Sequence, residues 1–120
     1  MKGKKILIID DNPIQLVSVK GLLGSHGYEV LTAEESLEAV MVIAQHNVNL
    51  IILDIEMPTV NGFQLMKFLI RKGIRIPVLL SSSHDGTGIQ LMGEELGAVG
   101  FISKPIETES FLSAVNDILR

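Results

Sequence analysis

Four polar groups each follow a short apolar run: Asp10-Asp11, Asp54, Ser82 and Lys104-Pro105. In an open parallel α/β sheet, groups at the carboxyl ends of neighbouring strands converge on one crevice. Three carboxylates in one crevice repel each other unless a cation sits among them, and a hard divalent ion takes oxygen ligands and removes the repulsion. Mg2+ is the simplest fit, with Mn2+ as a substitute, whereas no His or Cys stands beside these acids to suit zinc or copper. A carboxylate-held metal, an ammonium and a hydroxyl are the parts that phosphoryl transfer requires, since charge on the transferring group must be met by donors arranged beforehand. Asp10 and Asp11 then hold the metal, Lys104 and Ser82 meet the phosphoryl oxygens, and Asp54 is free to act as nucleophile and form an acyl phosphate.

Each residue alone admits a plainer reading. Asp10-Asp11 ahead of Asn12-Pro13 also suits a helix cap with favourable charges, and Asp54 could open a turn before Pro58. Ser81, Ser82 and Ser83 could be loop polarity, and an isolated lysine is usually a solvated cation. The recurrence of these groups at successive strand ends favours a common site. His26, His46 and His84 show no ligand spacing and read as surface or loop residues.

The elements that position these groups follow from periodicity. Ile6 to Ile9, Glu29 to Ala33, Leu50 to Leu53, Val78 to Leu80 and Gly100 to Ser103 read as strands of a parallel sheet, short and rich in β-branched residues. Residues 13–25, 36–46, 61–72, 87–96 and 108–119 carry apolar side chains at helical spacing. Asn12-Pro13 is a cap followed by proline at the first helical position, Gly27, Gly73 and Gly97 stand where helices should stop, and Asn61-Gly62 reads as turn chemistry. Five βα units with right-handed crossovers give an α/β fold, a doubly wound five-stranded parallel sheet with five helices.

Composition narrows the function classes. A 120-residue chain with 47% hydrophobic and 20% charged residues fits one folded domain, residues 1–120, with no internal linker. A net charge of −4 without a basic cluster argues against direct nucleic-acid binding. Absence of cysteine excludes a disulfide framework and fits a reducing compartment, so a cytoplasmic location is expected. No membrane span or signal peptide can be built from the short apolar run after Lys5.

Ile8 to Asn12, the block Leu53-Asp54-Ile55-Glu56-Met57-Pro58 with Asn61-Gly62, the run Pro77 to Ser82, and Phe101 to Pro105 together resemble the receiver domains of two-component response regulators over essentially the whole chain. The resemblance implies a flavodoxin-like strand order, 2-1-3-4-5. It implies that Asp54 is the phosphoacceptor, and that Asp11, Asp54 and the backbone carbonyl of Glu56 coordinate Mg2+, with Asp10 acting mainly through water. Lys104 would contact the phosphoryl group, Ser82 is the switch hydroxyl, Phe101 is the aromatic that turns inward with it, and Lys104-Pro105 is a cis bond. Glu56 and His84 would tune phosphoryl lifetime. Ser82 stands where Thr is commoner, keeping the donor but losing a methyl, and Phe101 replaces the frequent Tyr, so packing alone must distinguish its two positions.

The first helix carries more apolar residues than one buried stripe needs: Ile14, Leu16, Val17, Val19, Leu22 and Leu23. In receivers its outward face docks the phosphodonor, so Ile14 and Val17 are expected to be exposed contact residues. The implied function is a phosphorylation-dependent signalling switch, not a turnover enzyme. Its partners would be a histidine kinase or histidine phosphotransfer protein and a downstream protein reached through the face of the fourth helix, fifth strand and fifth helix. No output domain is expected beyond Arg120.

Three rival readings fit less well. A flavin carrier of the same topology needs a hydroxyl-rich phosphate loop and aromatics to sandwich the ring, and this chain has four Phe, one Tyr and no Trp. An acyl-phosphate phosphatase typically places its nucleophile at the first strand with a second Asp two residues on, where this chain has Asn12. A silent receiver used only for docking is the strongest rival, and the complete acid, hydroxyl and lysine set argues against it.

Overall fold

A computed structural model describes residues 3–56, 62–83 and 87–120. Five strands, β1 (Lys5–Ile9), β2 (Glu29–Ala33), β3 (Leu50–Asp54), β4 (Val78–Ser82) and β5 (Gly100–Ser103), alternate with five helices, α1 (Pro13–Gly24), α2 (Ser36–Gln45), α3 (Gly62–Arg71), α4 (Thr87–Glu95) and α5 (Thr108–Leu119). The strands are all parallel, in the order β2-β1-β3-β4-β5. Strand order and element sequence agree with the doubly wound arrangement expected above.

Alternation along each strand sorts the core into two layers. Ile6, Ile8, Leu50, Ile52 and Leu79 pack against Leu16, Val19 and Leu23 of α1 and against Phe111, Val115 and Leu119 of α5. Leu7, Ile9, Ile51, Leu53 and Leu80 face the other way, onto Ala39 of α2 and Leu65, Met66 and Leu69 of α3. Each such side chain removed from water contributes about 1.5–3 kcal/mol before the entropy of ordering is set against it. The central strands β3 and β4 are buried throughout, and β1 is buried after Lys5. The edge strands β2 and β5 are only half-covered, so burial on both faces holds for the centre of the sheet alone.

Helix ends follow the chain's punctuation. The Asn12 side chain accepts from the amides of Ile14 and Gln15 at 3.0 and 3.2 Å, with Pro13 in the first turn. Removing this cap in Asn12→Ala should cost about 1 kcal/mol, read as a lower denaturant midpoint at unchanged slope. Gly27, Gly73 and Gly97 all have positive φ and close α1, α3 and α4 with paired bonds back into the last turn, such as Gly73 N–H to the Ile70 carbonyl and Ile74 N–H to the Leu69 carbonyl, both 3.0 Å. A turn with Asn61 falls outside the described residues, and Gly62 lies in the helix expected over residues 61–72. It opens α3, buried, where a Cβ would stand 2.9 Å from Ile55 Cα and 3.2 Å from the Asp54 carbonyl oxygen. The helix therefore approaches the Asp54 strand end as closely as a glycine permits. Asn61, Met57 and Pro58 lie outside the described residues.

Candidate functional site

β1 and β3 are adjacent in the sheet, with Ile9 opposite Leu53, so Asp10 and Asp54 emerge side by side. One ligand oxygen from each of Asp10, Asp11 and Asp54 lies within 4.8 Å of the others. Asp10 and Asp54 are buried and Asp11 is exposed. Backbone amides orient both buried acids: Asn12 N–H donates to Asp10 Oδ1 and Glu56 N–H to Asp54 Oδ1, each at 2.9 Å.

Lys104 reaches this cluster from the carboxyl end of the edge strand β5, two strands beyond β3. Its Nζ lies 3.0 Å from Asp10 Oδ2 and 3.2 Å from Asp54 Oδ2. The Lys104 backbone N–H donates to the Ser82 carbonyl at 2.9 Å, which ties the β5 end to the β4 end, and the Lys104-Pro105 bond that follows is cis. Three acids against one lysine leave the cluster net negative when all are ionised. Burial pushes the Asp54 carboxyl above its ordinary range, and the charge of Asp10 adds to this, against the opposing Glu56 amide and Lys104 ammonium. Burial disfavours the Lys104 ammonium too, but its bond to Asp10 and the charges of Asp54 and Asp10 outweigh that and hold its pKa above the usual lysine value. All-oxygen donors, a surplus of negative charge and one exposed acid fit a hard divalent cation such as Mg2+.

The hydroxyl-bearing strand lies alongside. Asp54 pairs in register with Ser81, Ile55 N–H donates to the Ser81 carbonyl at 3.1 Å, and Ser82 follows, fully buried. Phe101, opposite Leu80 in the register, is half-buried and lines a cavity of about 200 Å³ against Gly93 and Glu94 of α4. At α1, Leu16, Val19 and Leu23 are buried while Ile14 is 80% and Val17 72% exposed, as the surplus of apolar residues required. His26 is exposed, His46 is half-buried, and His84 lies outside the described residues.

One contact had no signal in the sequence. The Glu56 carboxylate accepts bonds from the Ser83 backbone N–H and from its hydroxyl, the latter at 2.9 and 3.0 Å, joining the loop after Asp54 to the end of β4. The sequence points to Glu56 for its carbonyl and its place beside Asp54, and to Ser83 only as loop polarity. A contact across 27 residues between two loop side chains leaves no periodicity to read.

Residues 6–116 match the response regulator receiver domain family. The chain is 32% identical to protein PilH of Pseudomonas aeruginosa, over 96% of this chain and 97% of that protein. It is 36% identical to response regulator GtcR of Aneurinibacillus migulanus over 98% of this chain, yet spans only 48% of that longer protein. Among solved structures it superposes on chemotaxis protein CheY4 of Vibrio cholerae with a TM-score of 0.89 at 27% identity, covering 96% of this chain and 98% of that one. The receiver domain of the Francisella response regulator 1452 gives 0.90 at 27% identity, over 97% and 96% of the two chains. Among the described residues no helix is long and apolar enough to cross a membrane. The chain belongs to the response regulator receiver domain family.

Proposed function

We propose that Asp54 accepts a phosphoryl group from a phosphohistidine on a histidine kinase or phosphotransfer partner, and that the modified domain presents a changed surface to a downstream protein. The observation that carries this reading is the Asp54 carboxylate, buried at a strand end, with Lys104 bridging it to Asp10 and Asp11 alongside. Asp11, Asp54 and the Glu56 carbonyl would hold Mg2+, with Asp10 acting mainly through water. When bound, the ion neutralises the surplus negative charge and helps bind the incoming phosphoryl oxygens.

The remaining steps belong to the chain. An Asp54 carboxylate oxygen attacks phosphorus, the P–N bond breaks, and the imidazole nitrogen of the donor keeps the electron pair. Lys104, already within ion-pair distance of Asp54, meets the charge on the equatorial oxygens. The Ser82 hydroxyl turns toward the acyl phosphate and Phe101 follows, biasing a two-state equilibrium of the α4, β5 and α5 face. The cavity beside Phe101 gives the ring room to move. Ile14 and Val17 form the apolar patch on which the donor docks.

Intact mass after incubation with a small phosphoramidate or acyl phosphate tests this. One labile phosphoryl adduct should form with Mg2+ and be lost with chelator. In Ser82→Ala the adduct should still form while the phosphorylation-dependent amide shifts of β5 and α4 shrink. Adduct formation independent of Mg2+, or an undiminished response in Ser82→Ala, would contradict the assigned roles.

A further inference from the structure

At the end of the sheet opposite the Asp cluster, residues from the C-terminal halves of α2 and α3 line a cleft over the core. The cleft between them has a volume of about 550 Å³. That lies within the span of pockets that hold small molecules, roughly 300–1,000 Å³. Its walls are apolar, from Val40 and Ile43 on α2, Phe68 on α3 and Ile74 and Ile76 after it, and its polar groups, His46, Asn47 and Lys72, follow the two helices. Lys72 carries its ammonium 5.8 Å from the centre of the Phe68 ring, so a cation stands directly over an apolar wall.

The walls are short of partners. α2 is apolar at Leu37 and from Ala39 to Ala44, yet only Ala39 is fully buried. A helix so broadly apolar is ordinarily enclosed. Val40, Ile43 and Phe68 are left half-buried along the cleft, and Leu37 and Met41 of the same helix α2 are exposed. Charge limits the occupant further. The residues that line the cleft include no Asp or Glu and one lysine, Lys72. The C-terminal dipole ends of α2 and α3 at this rim favour cations, so the attraction for an anion rests on Lys72 alone.

We propose that the α2–α3 cleft binds a small amphiphilic monocarboxylate, its apolar body along Val40, Ile43 and Phe68 and its carboxylate at Lys72. The site is separate from Asp54 and does not depend on phosphorylation.

Decanoate, kept below its micelle-forming concentration, is the probe, followed by amide chemical shifts of the unphosphorylated chain. Saturable shifts should centre on Ile43, Ala44, Phe68 and Ile74, with a Kd below about 1 mM. Ala44→Trp, which places a ring in the cleft from a solvent-exposed position, should abolish them. Lys72→Glu, a surface change that leaves the fold intact, should weaken decanoate about fivefold and turn the preference toward decylammonium. No saturable shift up to the solubility limit would overturn the proposal. So would equal binding of decanoate and decylammonium by the parent, or decanoate binding unchanged in Lys72→Glu.

Discussion

Lys104→Met should destabilise the metal-free protein by about 2–4 kcal/mol, because it strips the cation from two buried carboxylates at once. Lys104 Nζ is within 3.2 Å of both Asp10 and Asp54, which are almost fully removed from water. The methionine keeps the length and most of the apolar contact of the stem, so the loss reports charge rather than packing. Mg2+ should restore much of that stability, since it replaces the missing positive charge. It should also bind Lys104→Met more tightly than the parent, where ammonium and metal compete for the same oxygens. Phosphoryl uptake should nevertheless fall about 10²–10³-fold, the usual cost of removing one preorganised charge from a transition state. Urea unfolding with and without Mg2+, beside the rate of adduct formation, separates the effects. Equal stability of variant and parent without metal would mean that the lysine does not hold the acids together.

The second large effect has the opposite sign. Asp54→Asn should raise the Tm of the metal-free protein, because it removes a buried carboxylate whose charged form is disfavoured. The folded-state pKa of Asp54 is raised, so the native state binds its proton more tightly than the unfolded chain does. Stability from this group is therefore fully present below the unfolded value of about 3.8 and is lost as pH rises through the folded pKa. The advantage of Asp54→Asn should open across that window and stay constant above it, because the amide carries no charge to desolvate. Lys104 keeps Asp10 as a partner at 3.0 Å, so the substitution does not orphan the ammonium. With Mg2+ present the order should reverse: at metal concentrations about 100 times the Kd, the parent gains about 2.7 kcal/mol by mass action and the variant far less. Thermal unfolding from pH 4 to 8, with metal and with chelator, checks both halves.

How much of this was legible in the sequence depends on the distance over which each feature is determined. Ile6 to Ile9, Leu50 to Leu53 and Val78 to Leu80 are readable because a strand buried on both faces must be apolar at every position. Gly27, Gly73 and Gly97 are readable because a helix end needs one residue at positive φ. The acid cluster was legible for a topological reason: parallel strands bring their carboxyl ends together, so Asp10, Asp11, Asp54 and Lys104 meet whatever separates them in sequence. Gly62 was readable as part of the helical segment, but its close approach to the Ile55 Cα and the Asp54 carbonyl was not, since turn formation and close approach both select glycine. The Glu56–Ser83 contact and the α2–α3 cleft were invisible, since one rests on side-chain placement in two loops and the other on how far apart two helices pack. α2 was readable as a helix, but its periodicity does not reveal that Leu37 and Met41 stay uncovered.

The claim that Asp54 is the phosphoacceptor has a direct chemical test. Borohydride reduces an acyl phosphate to the alcohol, converting the modified aspartate to homoserine, which peptide mass mapping then locates. After Mg2+ and phosphodonor, homoserine should appear at position 54 alone, and chelator should prevent it. Homoserine at position 10 or 11, or a phosphoryl adduct that borohydride leaves unreduced, would contradict the assignment.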